Sequence, residues 1–147
     1  MALDTNLKDY ADAIKAIIEL IKTDLEIAAD HIYIFEVPQN FQMPAAFIEL
    51  QGANLVRMNT GEAQYQVTYS LTFFGRDWKQ STRVESSYKK LSTIMRHFMK
   101  NPTLGNKVID LEVSEGRVGV MGLPGRDQVY EGFSLLIKVF EEPISLT

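Results

Sequence analysis

The stretch QYQVTYSLTFF, Gln64 to Phe74, alternates apolar and polar side chains without a break. Tyr65, Val67, Tyr69, Leu71 and Phe73 interleave with Gln64, Gln66, Thr68, Ser70 and Thr72. A period of two is the signature of a β-strand with one face buried. The other face is polar and uncharged, which suits solvent and equally suits another polar protein surface.

On the C-terminal side, GRDWKQSTR (75–83) reads as a turn into a helix running to about Lys100. Thr82 and Glu85 have the spacing of a capping box. Val84, Tyr88, Leu91, Ile94, Met95 and Phe98 make the apolar stripe, with Lys89, Lys90, Arg96 and Lys100 on other faces. Asn101-Pro102 ends it. On the N-terminal side, GANLVRMNTGEA (52–63) reads as a long hairpin connection. Its middle, Leu55-Val56-Arg57-Met58, is more apolar than a solvated tip requires. Either it is a contact surface, or the two strands run on into it. Ala45 to Gln51 is a further strand, with Phe47 and Ile48 buried, and His31 to Val37 another, stopped by Pro38. Residues 4–25 read as an amphipathic helix with apolar positions at Leu3, Leu7, Tyr10, Ile14, Ile17, Ile18, Ile21 and Leu25, capped by Asp4 or Thr5. Lys8–Asp12 and Lys15–Glu19 are spaced for surface ion pairs.

Toward the C-terminus, Lys107 to Ser114 is a strand with Ile109, Leu111 and Val113 on one face. Gln128 to Glu141 is another, with Val129, Phe133, Leu135, Ile137 and Val139 alternating. The glycine-rich EGRVGVMGLPGRD (115–127) between them reads as a hairpin turning at Pro124-Gly125. The tail after Glu142 reads as loose. The order α-β-β-β-α-β-β predicts one α+β domain spanning 1–147, a mainly antiparallel sheet with both helices on one face.

The 147 residues, 46% hydrophobic and 23% charged, are ordinary globular composition. A net charge of −4 argues against nucleic-acid binding as the main task. The absence of cysteine excludes disulfides, thiolate metal sites and a cysteine nucleophile, and fits a reducing cytoplasm. No apolar run approaches the ~20 residues of a membrane span, and the acidic N-terminus does not read as a signal peptide.

A search for chemistry finds no site. His31 and His97 read as surface or half-buried residues outside any metal spacing. Gly116, Gly119 and Gly122 precede a strand instead of the helix a phosphate loop needs. Asp110, Glu112 and Glu115 read as solvent-facing. Trp78, the single tryptophan, either covers the end of the core or anchors an interface. No catalytic residue, metal or cofactor is expected.

The helix at 4–25, HIYIFEVPQNF, PAAFIELQG, the long strand ending YSLTFFGRDW, the helix STRVESSYKKLSTIMRHFM, and NPTLGNKVIDLEVSE before a final strand together resemble the tail-terminator (tail-completion) proteins of long-tailed bacteriophages. The likeness spans most of the chain and consists of pattern and order, not of one specific motif. It implies a structural virion protein without catalysis. Such a protein forms a ring, usually a hexamer, on the end of the tail tube, stops tube polymerisation and offers a surface to the head–tail connector protein. The implied partners are further copies of the chain, the tube protein and the connector. DNA passes through the ring without specific binding, and no membrane is involved. The implied location is the virion tail, with the host cytoplasm during assembly. The residues expected at interfaces are Leu55, Val56, Arg57, Met58, Trp78, Met121, Leu123 and Arg126. A head–tail connector or other tail component, and a small ligand-binding α+β module, are the alternative readings.

Overall fold

The alternating stretch forms β3 (Glu62–Phe74), which is paired on both sides along its length within a six-stranded sheet. The computed structural model describes residues 3–75, 83–122 and 129–147. β3 runs antiparallel to β2 (Ala45–Asn59) on one side and to β5 (Val129–Phe140) on the other. β4 (Asp110–Gly122) pairs antiparallel with β5 at one margin, and β1 (Ile32–Ile34) lies parallel to β2 at the other. The fold is therefore α+β with a mainly antiparallel sheet in the order β1-β2-β3-β5-β4.

The buried face of β3 meets its counterpart on β5 residue for residue: Val67 opposite Val139, Tyr69 opposite Ile137, Leu71 opposite Leu135, Phe73 opposite Phe133. All eight are buried. The Phe73 and Phe133 rings stack with centroids 4.6 Å apart. Directly opposite side chains are the stabilising unit of a sheet, and each full burial here contributes roughly 1.5–3 kcal/mol.

The helices α1 (Leu3–Leu20), α2 (Lys22–Leu25) and α3 (Arg83–Met99) share one core with this face through Tyr10, Ile14, Ile18, Leu25, Leu91, Ile94 and Phe98. Both long helices thus lie on one side of the sheet, as the stripes imply. The first stripe is not one helix: the chain turns at Ile21 (φ −118°), and Glu26 closes α2 in the left-handed region. α1 begins at Leu3, so Asp4 and Thr5 lie within its first turn. On α3, Tyr88 is 59% exposed while Ser87 and Lys90 are buried. α2 packs against α3 and draws Lys90 inward, where its ammonium meets Glu26 at 3.3 Å and Ser86 Oγ at 2.6 Å. Thr82 of the expected capping box lies outside the described residues; Glu85 forms an i,i+4 pair with Lys89 at 3.6 Å.

The opposite face is covered locally. β1 ends early, at Phe35 (φ 57°), and residues 35–44 cross behind the sheet. There Val37, Phe41 and Met43 pack with Tyr33 over Ala45, Phe47 and Phe74. This crossing is why β1 and β2 are parallel and not a hairpin. Two further expectations fail. The strand expected at 107–114 instead runs from Asp110 to Gly122, its glycine-rich part pairing with β5 as the hairpin reading expects, and Ile109, ahead of the strand, is 45% exposed. The tail is not loose: β6 (Ile144–Ser145) pairs with Ala63 and Glu62, and the Leu146 N–H donates to Gly61 O at 2.9 Å. Ile144 and Leu146 are too few to read as a strand, yet the backbone of this segment completes the ladder beyond β5.

Gly132, on β5 opposite Phe74, is a point of close backbone approach: a Cβ there would lie 1.8 Å from the Phe73 carbonyl oxygen. Gly132→Ala is expected to lower unfolding stability by at least the ~1–3 kcal/mol typical of overpacking, read by urea denaturation. An unchanged midpoint would show that the two strands separate freely at this point.

Candidate interaction surface

The β2–β3 hairpin continues past the rest of the sheet. β5 and β4 end level with Gln66, at Phe140 and Asp110, whereas β2 and β3 stay paired out to Asn59 and Glu62. Residues 55–65 therefore form an arm. Its tip is well built. The Arg57 guanidinium donates to Asn59 O (3.5 Å) and Thr60 O (3.1 Å), Asn59 Oδ1 accepts from the Gly61 N–H (2.9 Å), and Asn59 Nδ2 donates to Glu62 Oε1 (3.1 Å). Asn at the turn is suited to this self-bonding. The arm is braced from β3's other side, where Gln64 Nε2 donates to Glu141 O (2.9 Å), the Glu141 N–H to Tyr65 O (3.1 Å), and β6 pairs with the outermost residues.

On this ordered arm Leu55, Val56 and Met58 are 50%, 37% and 51% exposed. Ile144 and Leu146 of the bracing tail are also exposed. The strands do run on into this segment, and Leu55, Val56 and Met58 still face outward. Arg57 is part of the arm but is engaged in its turn.

β2 also has an open edge. β1 covers Ala46 to Ile48, and the Phe35 N–H adds one bond to Ile48 O (2.9 Å). From Glu49 to Asn59, no strand among the described residues lies beside it. A cleft at the start of this edge is lined by Phe35, Glu36, Val37, Glu49 and Leu50. The Phe35 ring stacks on Tyr69 (6.4 Å) and is itself exposed, as is Leu50. Burial raises the Glu49 carboxyl above its ordinary range. Sequence reading missed Leu50 because FIEL continues a buried alternation; its exposure follows from β1 being too short to reach it.

The other expected interface residues are at the far end of the sheet. Met121 pairs with Tyr130 at the end of β4, beyond the level of Gly132 and Phe74. Leu123, Arg126 and Trp78 lie outside the described residues. The structure therefore separates Leu55–Met58 from Met121 instead of gathering them into one patch. Val120, on the same margin as Met121, is 61% exposed.

The histidines are held locally: His31 Nδ1 and Nε2 contact Pro44 O (3.1 Å) and Gln42 Oε1 (3.0 Å), and His97 Nδ1 contacts Thr93 O (3.2 Å). The phenols of Tyr10 and Tyr69 are pushed far up by burial. The Tyr69 hydroxyl donates to Leu7 O (2.6 Å), which ties α1 to the sheet. Among the described residues no group of His, Asp and Glu is placed to hold a metal, and no helix is long and apolar enough to cross a membrane. Compared with known proteins, the chain matches no family model and no curated protein.

The raised Glu49 carboxyl has a sign. The fold holds its proton more tightly than the unfolded chain does, so above the ordinary value of 4.5 the unfolded state binds fewer protons. This contribution to stability is complete below that value and is lost as pH rises through the raised folded value. Glu49→Gln should therefore gain stability relative to the parent between pH 4 and pH 8, read from denaturation midpoints across that range. A difference that does not vary with pH would place Glu49 in free solvent.

Proposed function

We propose that this chain is a structural virion protein of the tail-terminator kind. Copies close into a ring on the end of the phage tail tube, stop its polymerisation and present a surface for head–tail joining. One observation carries the reading: a rigid, braced arm that exposes Leu55, Val56 and Met58 beside an open strand edge. Apolar side chains on a disordered tip would lose conformational freedom on binding. On a pre-ordered arm that ordering is already done, so contact area is gained at lower cost.

The placement of the patches supports the rest. The arm and the Val120–Gly122 end of β4 sit at opposite ends of the sheet, which gives a terminator two separate surfaces for two partners, tube and connector. A ring that covers the last tube layer with one end and shows a different surface at the other leaves no site for the next tube subunit. The charge of −4 per copy, multiplied around a ring, repels DNA and lets it pass. No residue is assigned a catalytic role and no cofactor is invoked. The resemblance of the sequence supplies the identity of the partners; the arm and the open edges supply the capacity for contact.

The test is addition of the purified protein to polymerising tube protein, with tube lengths measured by negative-stain imaging. The parent chain is expected to arrest growth with a ring at the tube end. Leu55→Asp, at a half-exposed position, is expected to leave stability within ~0.5 kcal/mol while abolishing arrest. Leu123→Asp, at an expected interface position outside the described residues, is the second variant. Tubes that grow normally in the presence of the parent chain would sink the terminator reading.

A further inference from the structure

We propose that, before it assembles with anything else, this chain pairs with a second copy about a two-fold axis at Leu55. The β2 arms of the two copies lie antiparallel, with Leu55 opposite Leu55, Asn54 opposite Val56 and Ala53 opposite Arg57. The contact goes beyond the terminator reading and stands or falls without it.

The need for it lies in the free chain. A long open edge that displays apolar side chains pairs with whatever strand it meets. A strand laid antiparallel against its own copy makes an isologous contact, which closes at two chains and leaves no edge over at the joint.

The backbone of the arm is turned the right way. Ile48, opposite Leu71, points its carbonyl away from β3 to the Phe35 N–H, and the Tyr65 carbonyl points away from β2 to the Glu141 N–H. Bonding direction alternates along a strand, so Leu71, Val67, Tyr65 and Ala63 are in phase, all turned from β2. Their partners Ala53, Leu55 and Arg57 therefore direct their own N–H and C=O groups outward, to the open edge. Those are the residues that the two-fold sets against one another.

The register is set by β1. With Leu55 on the axis, the extra residue of β2 between Leu50 and Gly52 in one copy meets the one between Arg57 and Asn59 in the other. The turn at Thr60 then stops level with Leu50, short of β1 and Phe35. With Asn54 on the axis, Asn59 would fall at Glu49 and the turn at Ile48, where β1 and the Phe35 N–H already fill the edge. With Val56 on the axis, the ladder shortens and Leu50 stays uncovered. A slip of one residue would set Leu55 against Asn54 or Val56, on the other face.

The side chains agree with this register. Leu55 meets Leu55 on the helix side of the sheet, and the long Arg57 lies across the small Ala53. At each end the turn of one copy, with the Arg57 guanidinium on the Asn59 and Thr60 carbonyls, reaches the cleft lined by Phe35, Glu36, Val37, Glu49 and Leu50 of the other. Exposed Phe35 and Leu50 are covered there, and a cation arrives beside two carboxylates. Glu62 stays with Asn59 Nδ2 of its own turn.

The chain has no cysteine, so introduced thiols report without background. Asn54 and Val56 are exposed in the separate chain and oppose each other in the dimer as the closely spaced kind of pair that a disulfide spans. The Asn54→Cys, Val56→Cys double variant is expected to oxidise to a covalent dimer and to nothing larger. Either single variant should stay unlinked, because its thiols are diagonal neighbours roughly 7–8 Å apart. By light scattering the parent is expected at twice the chain mass. Leu55→Asp and Leu55→Lys should each halve that mass, and an equimolar mixture of the two should restore it, since only a two-fold at this residue sets the two charges together. A parent that is monomeric at every concentration, a mass above that of a dimer, or a mixture that fails to recover would overturn the pairing. None of these outcomes bears on tube arrest by the parent chain, which tests the terminator reading separately.

Discussion

Everything in this molecule is positioned by the row of apolar pairs between β3 and β5. Val67, Tyr69, Leu71 and Phe73 lie against Val139, Ile137, Leu135 and Phe133 with no interruption. A shift of one residue would turn all four side chains of a strand out of the core, so this pairing has a single workable register. β2 is registered on β3 and β4 on β5, and both inherit that choice. The helices add to the same face: the Tyr69 hydroxyl reaches Leu7 O, so even the attachment of α1 is set by a residue of the row.

From that constraint follows a division between strands. β3 is paired on both sides and has no freedom to bond elsewhere. β2 beyond β1, and β4 on its outer side, each have one side unused among the described residues. Edge strands are a liability that proteins ordinarily blunt with charge, bulges or brevity. Here both edges carry bulges, yet β2 also displays Leu50, Leu55, Val56 and Met58. The bracing of the arm by Glu141 and β6 shows that the exposure is built in and not a frayed end. An apolar surface held rigid on an open edge is suited to a protein partner.

The sequence made some of this plain and hid the rest, for physical reasons. Alternation located β3 and β5 because both bury one face along their length. The stripe of α1 was legible because Ile14, Ile17, Ile18 and Ile21 all meet the core. α3 was misread at Tyr88 and Lys90, because its rotation is set by α2 packing on it, a tertiary fact. The tail escaped notice because it contributes backbone bonds and outward side chains, which composition does not report. At the candidate surface, Leu55 to Met58 stood out as too apolar for a turn. Leu50 did not, because its exposure depends on where another strand stops. That Met121 lies at the opposite end from Leu55 could be learned only from the register of the whole sheet.

The asymmetry of the two faces bears on how joined copies would curve. The helices lie on one side, whereas the other side of β3 presents half-buried Gln66, Thr68, Ser70 and Thr72. A layer with bulk on one face bends toward its thinner face when repeated, and the right-handed twist of strands adds a rotation of roughly 20–25° per step. Copies repeated side by side with such layers would carry the helices outward and the other face of the sheet inward. Beside that uncharged row the same face carries Lys138 opposite Thr68 and Arg117 opposite Ser134, with Glu49 opposite Ser70, so charges of both signs flank it.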